Sequence, residues 1–200
     1  MDNFMSNIDF LLSRFSCGSL TQPAPNDDEL HQILSTAMRA PDHGRLRPWR
    51  FVIIGKEYRE KWVRSLEKIL TKPDSCYPPA YITKIVQNFS NAPLILALGF
   101  RQFHDDKTSI SLDEQLMAAS AATMNILNAV HVLGFGAKWI TGPNDVPEIT
   151  ELLGLKKPYR MIGFMFIGTP VEGSEAPPRV SVDDYVANWQ GNAVNFKIDS

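Results

Sequence analysis

Cysteine is scarce in this chain: Cys17 and Cys76 are the two examples in 200 residues. Their spacing matches neither a disulfide framework nor a CxxC or metal-binding pattern, so reduced cytosolic thiols are expected. Histidine is nearly as sparse. His31, His43, His104 and His131 form no HExxH or related spacing, and Asp105-Asp106 and Asp183-Asp184 read as solvated or helix-capping charges, so no metal site is expected. The glycines build neither GxGxxG nor GxxxxGK[ST], and GxSxG is missing too. A Rossmann or P-loop nucleotide site and a serine-hydrolase elbow therefore have no sequence support. Excess charge of one sign is also lacking, since the formal net charge is -2. That balance argues against a nucleic-acid surface and makes any anion site a local one.

Long lipid-facing runs are missing as well. Met1 to Phe10 has no basic start or extended apolar core of a secretory signal. Gln115 to Ala137 carries no charge, but Ser120, Thr123, Asn125, Asn128 and His131 interrupt it, which suits a buried helix better than a membrane span. A cytoplasmic protein with no membrane partner is the expectation.

What is present suits one domain over 1–200. The composition is 44% hydrophobic and 21% charged, and the length is below the size at which a single core usually splits. Asn3 to Ser13 reads as a short helix. A second begins near Asn26, an N-cap candidate with Glu29 in the capping-box position, and buries Leu30, Ile33, Leu34 and Ala37. The helical pattern then runs to Ala40, where Pro41 stops it. Phe51 to Gly55 reads as a strand, Lys56 to Leu70 as a helix, and a further helix ends before Asn91. Leu94 to Leu98 and Met161 to Ile167 are apolar on both faces, as in strands covered by helices. Leu112 to Leu133 is the longest helical pattern, apolar round most of its circumference and rich in alanine. Such a helix crosses the core of one subunit or meets its own copy across a twofold axis, and the pattern serves both. Helices mixed with a few strands and no βαβ cadence predict an α+β fold. Segment 189–200 is a candidate C-terminal arm, with Trp189 and Phe196 its apolar contacts.

The densest chemistry lies in Arg39-Ala40-Pro41-Asp42-His43-Gly44-Arg45-Leu46-Arg47-Pro48-Trp49-Arg50-Phe51. Pro41 and Pro48 clamp a short loop that carries an imidazole and two guanidiniums beside an indole. Guanidiniums fork to phosphate or carbonyl oxygens and an indole offers stacking area, so the loop suits an anionic, planar aromatic ligand.

This APDHxxxxPW stretch resembles the corresponding loop in a small branch of the nitroreductase-like, FMN-dependent NAD(P)H oxidoreductases. The likeness continues through Leu11-Leu12-Ser13-Arg14-Phe15-Ser16, Gly136-Ala137-Lys138-Trp139-Ile140-Thr141-Gly142 and Gly168-Thr169-Pro170. It implies a helix-wrapped, mainly antiparallel sheet in an intertwined homodimer. It also implies FMN as cofactor, NADPH or NADH as co-substrate and a small-molecule electron acceptor. Arg14 and Ser16 take the positions of the RxS element at the flavin phosphate and ribityl chain, with Phe15 where relatives often carry a second arginine. His43 and Arg47 take positions near the flavin, supplied across the subunit interface. Trp139, Ile140 and Thr141 pass the ring, and Arg179 stands where relatives place a late basic residue at the phosphate. Taken alone, Arg14 reads as a helix-end charge, His43 as a loop-bonding or core histidine, Arg47 as a surface ion-pair partner and Arg179 as a linker charge.

No catalytic side chain is expected, because a bound flavin supplies the chemistry and the protein supplies positioning and electrostatics. Arg47 is expected to stabilise the anionic reduced flavin, so Arg47→Gln should lower the midpoint potential. An unchanged potential would remove that assignment. Two neighbouring outcomes stay open: a flavin-dismantling or dehalogenating relative, and a protein that stores or senses FMN without efficient turnover. A third, a cofactor-free interaction protein, is motivated by the apolar Leu112 to Leu133 helix.

Overall fold

The computed structural model describes residues 7–104 and 109–196. Its helices are α1 (Asn7–Ser13), α2 (Asp27–Ala37), α3 (Lys56–Leu70), α4 (Pro79–Asn91), α5 (Leu112–Val132) and α6 (Pro147–Leu152). Its strands are β1 (Leu20–Thr21), β2 (Trp49–Ile54), β3 (Leu94–Arg101), β4 (Gly136–Ile140) and β5 (Tyr159–Pro170). The first turn of the predicted Asn3 to Ser13 helix, the Asp105-Asp106 pair and the last four residues of the candidate arm lie outside the described residues.

All the strand pairs are antiparallel. The order is β1-β5-β3-β2, with β4 also paired to β5. The predicted α+β sandwich follows from the covering of both sheet faces. On one face, α2 and α5 pack Ile33, Ala37, Ala122, Ile126 and Val130 against Leu96, Leu98 and Met165. On the other, Trp62 and Leu66 of α3 and Phe89 of α4 pack against Ile95, Phe164 and Phe166. Strands β3 and β5 are thus apolar on both sides, as helix-covered central strands require.

The helix starts follow the capping logic of the sequence. At α2, Glu29 N–H donates to Asn26 Oδ1 (2.9 Å) and Asn26 N–H to Glu29 Oε2 (2.8 Å). Ser111 and Glu114 repeat the reciprocal pair at α5. Gln115 is buried but paired: its amide accepts from Phe103 N–H and donates to the carbonyls of Phe103 and Ile110. Two boundaries differ from expectation. Helix α2 ends at Ala37 rather than Ala40, because Pro41 disfavours the helical region for Ala40 and the last turn tightens into i to i−3 bonds at Met38, Arg39 and Ala40. Strand β2 begins at Trp49, two residues early, because its pairing with β3 extends to Phe100.

One distortion positions the strand of interest. Leu98 pairs with Gly163 and Gly99 with Met161, leaving Ile162 as an extra residue in β5. Trp139 Nε1 donates to the carbonyl of Ile162 at 3.1 Å. Gly163 has φ 137°, and a Cβ there would meet the Ile140 carbonyl oxygen and lie 2.6 Å from Trp139 Nε1. Gly163→Ala is therefore expected to cost about 2–3 kcal/mol through backbone strain and collision. Calorimetry should show a melting temperature lower by roughly 5–10 °C; a shift within one degree would remove this role for the bulge.

Candidate functional site

Helix α1 stops at Ser13 and the chain runs extended through Arg14, Phe15 and Ser16 onto the edge of the sheet. Ser16 bridges Ala137 in parallel, and Cys17 N–H donates to the Ala137 carbonyl at 2.9 Å. That contact covers the start of β4. Because main-chain groups alternate along a strand, those of Trp139 and Thr141 face the same side as those of Ala137, beyond the reach of Cys17. A short free edge results, able to hydrogen-bond a planar polar ligand.

At the start of β4, against Gly136 and Ala137, lies a cleft of about 360 Å³ lined by Ser13, Arg14, Phe15, Cys17, His131 and Ser174 among others, none of them a carboxylate. Arg14 is half-buried, and its Nη1 is shielded from solvent without a hydrogen-bond partner. Burial, and then the nearby Arg179 charge, pull the Arg14 pKa below its ordinary value. Arg179 is drawn in by its own bond, Nη2 donating to the Arg14 carbonyl at 2.9 Å. His131, in the last turn of α5, contacts Ser13 Oγ through Nε2 at 2.9 Å. Burial and the Arg14 charge hold its imidazole below the usual histidine value, and the Phe10 carbonyl opposes them. The Arg14 guanidinium in a lining without a carboxylate, with the Arg179 charge nearby, suits an anion.

His43 and Arg47 lie elsewhere. His43 Nδ1 contacts Glu114 Oε1 at 2.8 Å in the first turn of α5. That bond, with those from Ser111, holds the Glu114 carboxyl below its ordinary range. Glu114 and His131 are 17 residues apart on one helix, about 26 Å at the α-helical rise. A mononucleotide-sized ligand at Arg14 cannot also reach the His43 loop of the same protomer. The loop itself is strained. Arg45 and Arg47 have φ of 56° and 47°, rarely occupied by residues with side chains. The Asp42 carboxylate pins the Arg47 amide at 2.6 Å, and Arg50 braces the Arg47 carbonyl at 2.9 Å. Both the His43 and Arg47 side chains are exposed. The expectation for Trp49 is corrected: it is 7% exposed and its indole donates to Met38 Sδ, so it offers no stacking face.

The side chains of Trp139, Ile140 and Thr141 divide. Trp139 is bound to the β5 bulge, Ile140 packs into the core beneath α3 and α4, and Thr141 is exposed. The turn that follows is held from α4. Tyr81 Oη lies where a Cβ on Gly142 would fall, and Tyr81 stacks on Tyr77 with centroids 5.2 Å apart. Tyr77 donates to Asp145 at 2.9 Å; burial first, then that bond, push its pKa up to about 12. Arg14 and Phe15 thus line the cleft, Ser16 and Arg179 adjoin it through Ala137 and the Arg14 carbonyl, and the Trp139 to Thr141 edge lies further along β4, while His43 and Arg47 stand apart. Sequence reasoning passed over His131 and Glu114, which carry no local mark of their partners.

The helix-covered antiparallel sheet defines the fold class, an α+β sandwich. The Nitroreductase family model matches residues 11–169, and the chain belongs to the nitroreductase family. It is 32% identical over 167 residues to the Escherichia coli K12 protein named "Putative NAD(P)H nitroreductase YdjA", covering 83% of this chain and 89% of that one. A Haemophilus influenzae protein of the same description is 29% identical, over 88% and 95% of the two chains. Among solved structures, a nitroreductase-like family protein from Bacillus cereus superposes with TM-score 0.79 at 25% identity, covering 96% of this chain and all of that one. The NADPH:FMN oxidoreductase of Vibrio harveyi shares the fold at TM-score 0.73 and 16% identity, over 94% and 79% of the chains.

Proposed function

We propose that the protein is an FMN-dependent oxidoreductase that takes hydride from NADPH or NADH and delivers reducing equivalents to a nitroaromatic, quinone or similar small acceptor. The observation that carries this reading is the Arg14 guanidinium, half-buried beside Arg179 with a solvent-shielded, unpartnered Nη1. A buried cation without a counterion is costly, and a ligand phosphate would supply the missing partner. The residues fit FMN: Arg14, Ser16 and Arg179 would hold the phosphate and ribityl end, with Phe15 in the same cleft wall. The open edge of Trp139, Ile140 and Thr141 would dock the ring. When bound, the flavin supplies hydride acceptance and release, so the chain needs no nucleophile or paired carboxylates of its own.

The separation of His43 and Arg47 from Arg14 along α5 supports a homodimer in which each site draws that loop from the other copy. Exposed apolar side chains favour the same assembly, among them Met117, Met124 and Val132 on α5. Val180, Val186, Trp189 and Phe196 do so on the C-terminal segment. Burying such surface in a second copy removes it from water.

Purified protein mixed with FMN and desalted should stay yellow, bleach anaerobically with NADPH or NADH and recolour with an acceptor. A colourless eluate would overturn the cofactor assignment. A yellow protein that does not bleach would leave FMN storage or sensing.

A further inference from the structure

The Arg14 cleft holds a titratable group that the reading above leaves without a role. His131 lines the cleft together with Ser13 and Arg14, so a ligand seated there meets it directly. The imidazole is half-buried and reaches from α5 to the end of α1. Its Nε2 stands 2.9 Å from Ser13 Oγ, and that hydroxyl donates to the Phe10 carbonyl at 3.1 Å. With its one proton given to Phe10, Ser13 Oγ accepts from Nε2, and Nδ1 is the nitrogen left to take up a proton. The same contact ties α5 to the point where the chain leaves α1 for Arg14, Phe15 and Ser16.

The charges around His131 decide its state. In the cleft lining, Arg14 is the ionised side chain and Cys17 the other titratable group, and Arg179 adjoins Arg14. Asp9 on α1, and Glu172 and Glu175 on either side of Ser174, are exposed and outside the lining. Burial and the Arg14 charge hold the imidazole below the usual histidine value, so it is neutral in the apoprotein at neutral pH. A phosphate dianion against Arg14 reverses the local field, because its charge exceeds that of one guanidinium. The Phe10 carbonyl and the C-terminus of α5 already favour imidazolium, and the dianion then adds to them. We infer that His131 binds the flavin phosphate together with Arg14 and takes up a proton as the phosphate arrives. This rests on the FMN reading above and adds to it a proton linkage carried by α5. The cleft thereby gains a second cation when the anion is present, without the cost of a further desolvated charge in the apoprotein.

Linkage fixes the sign of the effect. A group that gains proton affinity when a ligand binds makes that ligand bind more tightly as pH falls through its titration range. The FMN phosphate works the other way, since with a second pKa of about 6 it loses charge on acidification. Dissociation constants of FMN and riboflavin are measured by fluorescence titration of the apoprotein at about pH 8 and about pH 6.5, on either side of the histidine range. Wild-type protein should bind FMN about three- to fivefold more tightly at the lower pH. Riboflavin, which lacks the phosphate, should show no such gain. His131→Gln keeps a donor near the Nε2 position but takes up no proton, so its FMN affinity should not rise on acidification. A histidine with only a structural role would weaken both flavins alike on substitution and leave the pH dependence in place. The apoprotein melting temperature reports whether the variant is folded, and the wild-type pH dependence tests the linkage without it. Wild-type FMN affinity that is flat or falls at the lower pH overturns the inference, as does a His131→Gln protein with the wild-type pH dependence. Wild-type protein that binds no FMN at either pH overturns the underlying reading as well, and the wild type alone reports that failure.

Discussion

Arg14→Gln is expected to weaken FMN binding by roughly 10- to 150-fold without lowering the stability of the apoprotein. The first effect follows from losing charge-assisted hydrogen bonds to phosphate, worth about 1.5–3 kcal/mol. The second follows from what the charge does without a ligand. Arg14 is partly desolvated, faces Arg179 and has a guanidinium nitrogen with no partner. Removing such a charge relieves repulsion and burial cost. Titration of the apoprotein with FMN and calorimetry of the same sample read the two effects separately. A structural arginine would behave differently: the melting temperature would fall and residual affinity would track it. Unchanged affinity in a well-folded Arg14→Gln protein would take Arg14 out of the site.

Mixed dimers are expected to recover FMN where neither parent retains it. His43 and Arg47 stand at the N-terminal end of α5 and the Arg14 cleft at its C-terminal end, about 26 Å away along the helix. If each site takes Arg14 from one copy and Arg47 from the other, a dimer of one Arg14→Gln chain and one Arg47→Gln chain concentrates both lesions in a single site. The other site is then intact. Co-expression with two affinity tags, followed by sequential capture, should give about half a flavin per chain, with normal affinity at the filled site. Flavin content no higher than in the parents would place the sites within single protomers and overturn the shared-site assignment. Arg47→Gln held saturated by excess FMN should also show the lowered midpoint potential expected from the sequence.

Local signals carried much of the fold. The Asn26 cap, the helical spacing that buries Leu30, Ile33 and Ala37, and the fully apolar runs at Leu94 and Met161 each depend on neighbours within a few residues. Boundaries shifted where long-range pairing or a proline decided them, as at Trp49 and Ala40. The candidate site was legible in type but not in arrangement. Arg14 and Ser16 were marked out by the family resemblance, yet the Arg179 bond to the Arg14 carbonyl spans 165 residues, and no periodicity reports such a contact. Trp49 misled because an indole beside a basic loop has the same sequence appearance whether it faces solvent or, as here, the core.

By itself, the sequence determined the element types, the two-sided burial of the central strands and the lack of metal and serine-hydrolase patterns, because these depend on residue chemistry and short-range spacing. Tertiary structure alone decided that Arg179 lies against Arg14 and which edge of β4 stays open. It alone also set the His43 loop and Arg14 at opposite ends of α5. Those facts depend on contacts between segments far apart in the chain, and the free energy of each contact is set by burial and partners that no local stretch contains.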